Sequence, residues 1–154
     1  RKWVEEAAAT LSDDRYSKLP HTLVHGDIQP ANVVISETGL PLLVDMDWCA
    51  WRPRIYDLGF AILFCCAERA TPIRGDDIWS LTQPCKLRPD LVSSFLDAYG
   101  GAYTSLSREE DSMMRAQMVL SWCSSRIAGA LKVSASARAD FLERPPVALS
   151  ELGL

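Results

Sequence analysis

The chain has 154 residues, 48% of them apolar and 23% charged, and a net charge of −4; this length suits one domain with a real core, and no basic stripe is present to grip nucleic acid. Five cysteines, an odd number with no CxxC or Cys/His ligand spacing, argue against a disulfide scaffold or zinc site and for free thiols in a reducing cytosol. The apolar run Leu58 to Ala67 is too short to span a bilayer and no signal-peptide pattern opens the chain, so a cytoplasmic protein without membrane contact is expected.

Arg1 to about Leu11 reads as a helix that Ser12-Asp13-Asp14 closes. Residues 15–24 then lead into a Gly/Pro-bearing loop, His25-Gly26-Asp27-Ile28-Gln29-Pro30-Ala31-Asn32. Val33 to Ser36 and Pro41 to Asp45 are apolar and suit two strands, with Glu37-Thr38-Gly39-Leu40 as a four-residue turn between them. Closing that turn about Thr38-Gly39 pairs Ser36 with Pro41, Val34 with Leu43, and Asn32 with Asp45. Trp48 to Arg54 follows as a loop whose tryptophans pack onto the hairpin or wall a substrate. Asp57 to about Arg69 is a buried helix, with Cys65 and Cys66 as buried thiols. Residues 70–88 form a polar, irregular connection. Pro89 to about Tyr99 is a helix with Leu91, Phe95, Leu96 and Tyr99 on one side, stopped by Gly100-Gly101. Ser107 and Glu110 have capping-box spacing for a long helix reaching about Val133. Within it Met114, Met118, Ser121/Trp122 and Ser125 recur at helical spacing, as a core stripe does. A last helix, Ala135 to Leu142, ends at Arg144-Pro145-Pro146. The predicted fold is a single domain, mainly α with a small β-hairpin, and therefore α+β.

The chemistry gathers at the hairpin. Directly opposed residues have Cβ atoms about 4.5–5.5 Å apart, so an Asn32 oxygen and an Asp45 carboxylate could share one cation. Mg²⁺ suits such a pair, because it takes hard oxygen ligands, only one or two carboxylates from protein, and completes its shell with water and substrate phosphates. Asp27, five residues before Asn32, could face the same ion's substrate without ligating it. Asp47 would share the strand face of Asp45 if the strand continued. Each residue also has a plainer role available. Asp27 and Asn32 suit turns and caps, Asp47 suits the surface, and Asp45 ends an apolar run where a lone carboxylate would be costly to bury. The negative charge is concentrated here: residues 1–67 hold nine acids against six bases, whereas residues 104–154 are balanced. No dense acidic patch late in the chain advertises a polycationic ligand.

Three separated pieces, HGDIQPAN, VDMDW and YDLG, stand in the order and spacing of one family pattern. The segment from about residue 20 to 60 resembles the aminoglycoside phosphotransferase and choline kinase group, small-molecule kinases related to protein kinases. The protein-kinase catalytic loop H-R-D-x-x-x-x-N has the same frame, with Asp as base and Asn on metal. Gly26 in place of its Arg, Met46-Asp47 in place of Phe-Gly, and the lack of Ala-Pro-Glu point away from protein kinases. The resemblance implies a kinase-like C-terminal helical lobe that uses ATP and Mg²⁺ to phosphorylate a hydroxyl of a small molecule. It implies Asp27 as the catalytic carboxylate, with His25 orienting the loop. Asn32 and Asp45 would be metal ligands, with Asp47 as a further one. Asp57 would brace the loop structurally, and Val34 would line the adenine pocket, with a place in the core as its plainer alternative. The acceptor would lie between the loop, residues 89–133 and the Trp48–Trp51 segment.

Such kinases also need a preceding β-rich lobe with a phosphate-covering loop and a strand lysine. Neither is visible here, so the expectation is a C-terminal lobe whose N-terminal partner lobe is missing. Such a chain would be inactive alone and open to self-association through the bared surface. Two other readings use the same residues: a non-catalytic kinase-like binding module, and a metal-dependent phosphoesterase with a metal-activated water. With only His21 and His25 available, the second is poorly equipped for a dinuclear site.

Overall fold

The computed structural model describes residues 2–83 and 85–144. It is mainly helical with small antiparallel sheets, the predicted class. Helices α1 (Lys2–Thr10), α3 (Ile55–Cys65) and α5 (Arg108–Ala130) make the centre, with α3 against α5 and α1 against α5 as the most extensive helix contacts. Helix α3 is apolar nearly all round, and Leu58 to Phe64 are all buried, as such a helix requires. Its Ile55, Leu58 and Ile62 share a core cluster with Ala7 of α1, Leu11 just past its end, and Met113, Met114, Met118 and Val119 of α5. Gly59 lets the two long helices close: a Cβ there would stand 2.8 Å from Gln117 Cγ.

The long helix begins where its sequence predicts. Ser107 Oγ accepts from the Glu110 N–H, and the Glu110 carboxylate accepts from the Ser107 N–H, a complete capping box. Glu110, wholly buried, also receives two hydrogen bonds from the buried Arg54 guanidinium, at 2.7 and 2.9 Å. Arg54 further donates to the carbonyls of Thr104 and Ser105. This pair ties the start of α3 to the start of α5. Met114, Met118 and Ser121 are buried as expected of a core stripe, while Trp122 and Ser125 are half-buried.

Several boundaries differ from expectation. Short helix α2 (Asp13–Tyr16) follows where the first helix was to end. Ala50–Pro53 is not a loop but strand β4, antiparallel to β1 (His21–Val24). Helix α3 stops at Cys65, and Ala67–Arg69 forms strand β5 with β6 (Cys85–Leu87) inside the supposedly irregular connection. Both pairings join segments far apart in sequence, and strands of three or four residues carry no readable alternation. Cys66 is buried, but Cys65, at the open end of the helix, is exposed. Helix α4 (Pro89–Ala102) runs through Gly100-Gly101. Its packed side is Val92, Phe95, Leu96 and Tyr99, leaving Leu91 exposed. A 3-10 turn at Ala135–Ala137 precedes the last helix, α6 (Arg138–Glu143), and the Pro145-Pro146 stop lies outside the described residues.

The hairpin differs by one residue. Strand β2 (Val33–Ile35) pairs with β3 (Pro41–Leu43) so that Val33 faces Leu43, Val34 faces Leu42 and Ile35 faces Pro41. Gly39 N–H donates to the Ser36 carbonyl, Ser36 N–H donates to the Leu40 carbonyl, and Gly39 takes φ +81°. The loop is thus three residues with a left-handed glycine, a common hairpin closure, rather than four. An odd loop moves the register by one place. Asn32 therefore comes opposite Val44, whose N–H it accepts at 3.0 Å, and not opposite Asp45.

Candidate active site

The loop between β1 and β2 is fixed from beneath by Asp57, in the first turn of α3. Its Oδ2 accepts from the His25 N–H at 2.7 Å and its Oδ1 from the Gly26 N–H at 2.9 Å. One carboxylate thus satisfies two consecutive amides that no strand partner serves. The buried His25 ring bridges sideways. Its Nδ1 accepts from the Asp27 N–H at 3.3 Å, which leaves Nε2 to donate to the Val44 carbonyl at 2.9 Å. His25 therefore joins the loop to the end of the hairpin, and both ring nitrogens are occupied.

Gly26 is required by two constraints at once. Its φ is +89°, and a Cβ would lie 2.4 Å from the Trp48 carbonyl oxygen. The loop can pass beneath the Met46–Cys49 turn only without a side chain there. The following residue, Asp27, is half-buried, and its Oδ2 accepts from Gln29 Nε2 at 2.8 Å and Asn32 Nδ2 at 2.9 Å. Asn32 also donates to the Asp27 carbonyl, from a 3-10 turn at Pro30–Asn32 opened by Pro30. With its amide nitrogen committed to Asp27, the buried Asn32 has its oxygen left as an acceptor.

Asp45 and Asp47 lie beyond β3, which ends at Leu43. Asp45 is exposed at φ +65°, a left-handed conformation that Asp tolerates better than most side chains. Asp47 is exposed in the Met46–Cys49 turn, so it does not continue a strand face with Asp45. No group of three or more His, Cys, Asp or Glu side chains among the described residues could hold a metal ion. The oxygen donors Asn32 and Asp45 are still of the hard type that suits Mg²⁺, which needs few protein ligands. Val34 is 46% exposed, part of an apolar hairpin surface with Leu42 and Leu43.

Beside Asp27 opens a cavity of about 130 Å³. Gly26, Asp27, Gln29 and Trp48 line its loop side. Helix α3 supplies Tyr56, Phe60 and Phe64, successive turns of one face whose ring centroids are 5.4 and 5.6 Å apart. Helix α5 supplies Ser124, Ser125 and Ala128, with Lys132 just past its end. The sequence places a cleft between this loop, residues 89–133 and the Trp48–Trp51 segment; Trp48 and four residues of the 89–133 stretch do line the cavity, whereas the Tyr56, Phe60 and Phe64 wall was not expected. The aromatic face of α3 reads as core because Phe60 and Phe64 are in fact buried core residues whose rings also edge the cavity. The spacing of Tyr56, Phe60 and Phe64 was the available clue.

The profile of the phosphotransferase enzyme family matches residues 1–110, about two thirds of the chain and all of the loop, hairpin and Asp57 brace. The chain belongs to the phosphotransferase enzyme family. Among curated proteins and among solved structures nothing matches it. The family match accords with the kinase-like expectation from HGDIQPAN, VDMDW and YDLG. The α5 wall of the cavity lies outside the matched stretch. No helix among the described residues is long and apolar enough to cross a membrane.

Proposed function

We propose that the protein transfers the γ-phosphoryl group of ATP to a hydroxyl of a small molecule, with Asp27 as the catalytic carboxylate. The observation that carries this reading is the placement of Asp27. Its carboxylate borders a ring-lined cavity while the Asp57–Gly26–His25 framework holds its backbone. Gln29 and Asn32 aim one Asp27 oxygen, leaving the other to meet the acceptor hydroxyl. As the acceptor O–H bond breaks, its proton passes to Asp27. The acceptor oxygen forms a bond to phosphorus as the bond from γ-phosphorus to ADP breaks. Few protein groups are needed, because such transfer depends mainly on positioning and neutralisation of charge.

Asn32 and Asp45 would hold Mg²⁺, with exposed Asp47 able to assist; bound there, the ion would neutralise the nucleotide phosphates. The exposed apolar hairpin around Val34 would carry the adenine. A preceding lobe, of the kind expected from the sequence, would close over the nucleotide. A phosphoesterase reading is less well supported, because His25 has both ring nitrogens engaged with backbone groups. The deciding measurement is ATP-dependent phosphorylation across a panel of hydroxyl compounds, with the full-length protein and Mg²⁺. Transfer that disappears in Asp27→Ala is expected. Transfer that persists at near wild-type rate in that variant would remove Asp27 from the chemistry.

A further inference from the structure

The cavity beside Asp27 also says something about the acceptor, given the phosphotransfer reading on which this step rests. Its accessible space, about 130 Å³ and open on one side, is close to that of cavities that take a benzene-sized group. A compound of several sugar rings would not enter it as a whole. The walls are chiefly flat and apolar: Trp48, Tyr56, Phe60 and Phe64. Charge is equally specific. Asp27 is the one acid among the described lining residues, and its Oδ2 already accepts two hydrogen bonds. Lys132 is the one base there, and it makes no ion pair among the described residues. A polyamine would find a single carboxylate and a repelling ammonium. An anion would find an open partner.

We infer that the acceptor is a single-ring alcohol carrying one carboxylate. Its hydroxyl is presented to Asp27, its ring lies against the Trp48, Tyr56, Phe60 and Phe64 side chains, and its carboxylate faces Lys132. Ser124 and Ser125 can hydrogen-bond polar substituents along the opposite wall. The loop and α3 supply the catalytic and ring-binding side. The charge selection comes from the end of α5, outside the family-matched stretch.

Three para-substituted benzyl alcohols vary the charge on one ring: 4-(hydroxymethyl)benzoate, 4-methylbenzyl alcohol and 4-(aminomethyl)benzyl alcohol. Calorimetric Kd values and ATP-dependent kcat/KM would be measured for each with the full-length protein. The benzoate should exceed the amine by about tenfold, since attraction and repulsion at an exposed pair are each worth up to about fivefold. Lys132→Met should bring that ratio toward one, Lys132→Glu should invert it, and Lys132→Arg should keep it. Lys132 is exposed, so these variants should fold, and matching thermal melts would verify that. Equal binding of all three probes, tighter binding of the amine, or a ratio unchanged in Lys132→Glu would overturn the inference. Tight binding of the benzoate without transfer to any alcohol would instead overturn the phosphotransfer reading while upholding the charge preference of the cavity.

Discussion

At the scale of single residues, the loop from His25 to Asn32 depends on a handful of atoms that can be removed one at a time. Asp57→Ala would leave the His25 and Gly26 N–H groups without their acceptor, at a cost of about 1–3 kcal/mol. Urea midpoints should register that loss together with lost transfer. Gly26→Ala should be comparably damaging, because the new methyl would meet the Trp48 carbonyl and the backbone would be held in a left-handed conformation, itself costly by about 1–3 kcal/mol. Asp27→Asn should separate stability from chemistry. The half-buried side chain keeps most of its contacts, so the melting temperature should hardly move. The kcat should fall by about 10²–10⁴-fold, the usual contribution of a positioned acid or base. A fall in Tm equal to that of Asp57→Ala would make Asp27 a scaffold residue instead.

Among elements, the decisive join is Arg54 with Glu110. Burial alone would push the Glu110 carboxyl up, but the Arg54 guanidinium and the Ser107 N–H outweigh it and hold the group below the usual glutamate range. Arg54 in turn is held above its ordinary value, chiefly by its hydrogen bonds to Glu110. A carboxyl depressed in the folded state stabilises fully above its unfolded pKa, near 4.3, and loses that contribution as pH falls through the lower folded value. Wild-type protein should therefore lose more stability between about pH 5 and pH 3 than Glu110→Gln, as urea melts at each pH would measure. Arg54→Met, which strands a buried carboxylate, should cost about 3–5 kcal/mol. Arg54→Met with Glu110→Met should recover part of this, the missing capping box accounting for about 1 kcal/mol of the remainder.

The capping box was legible in the sequence because its parts lie three residues apart and act locally. The strand pairs β1–β4 and β5–β6 were not, because each strand is defined by a distant partner. The hairpin register failed on one conformation: Gly39 adopts the left-handed state and shortens the loop. Helix α4 passes its glycines because each costs only about 1 kcal/mol relative to Ala. The surrounding contacts offset that cost. The Tyr99 and Tyr103 rings on either side of the glycines lie 6.1 Å apart, and the Arg54 guanidinium sits 5.6 Å from both.

For the whole molecule, the loop half of the candidate site was legible because Asp27, Asn32 and Asp57 fall within one short stretch and are joined there by the hydrogen bonds described above, whereas the expected pairing of Asn32 with Asp45 was lost with the register. The other half was hidden. Ser124, Ala128 and Lys132 carry no motif, and only the packing of α3 on α5 brings them to Asp27. A dependence on the divalent ion belongs at this scale too. Chelation by EDTA should abolish transfer in the full-length protein, and Mg²⁺ should restore it. Asn32→Ala and Asp45→Ala should each raise the Mg²⁺ concentration needed for half-maximal rate by at least about tenfold. An unchanged requirement in both would move the ion elsewhere.

The division of the cavity between two helices also bears on how such a protein can change its trade. Positions 124, 128 and 132 repeat every fourth residue along α5 and its end, and all three are exposed. Among the described residues, none of these three side chains takes part in the hydrogen bonds of the Asp57 brace, the His25 bridge or the Arg54–Glu110 join. On the proposed reading, a mutational library confined to those three sites could redraw the outline and charge of the acceptor pocket while the loop around Asp27 stays intact. New customers could thus be acquired through ordinary surface drift, without passing through an unfolded or chemically dead ancestor.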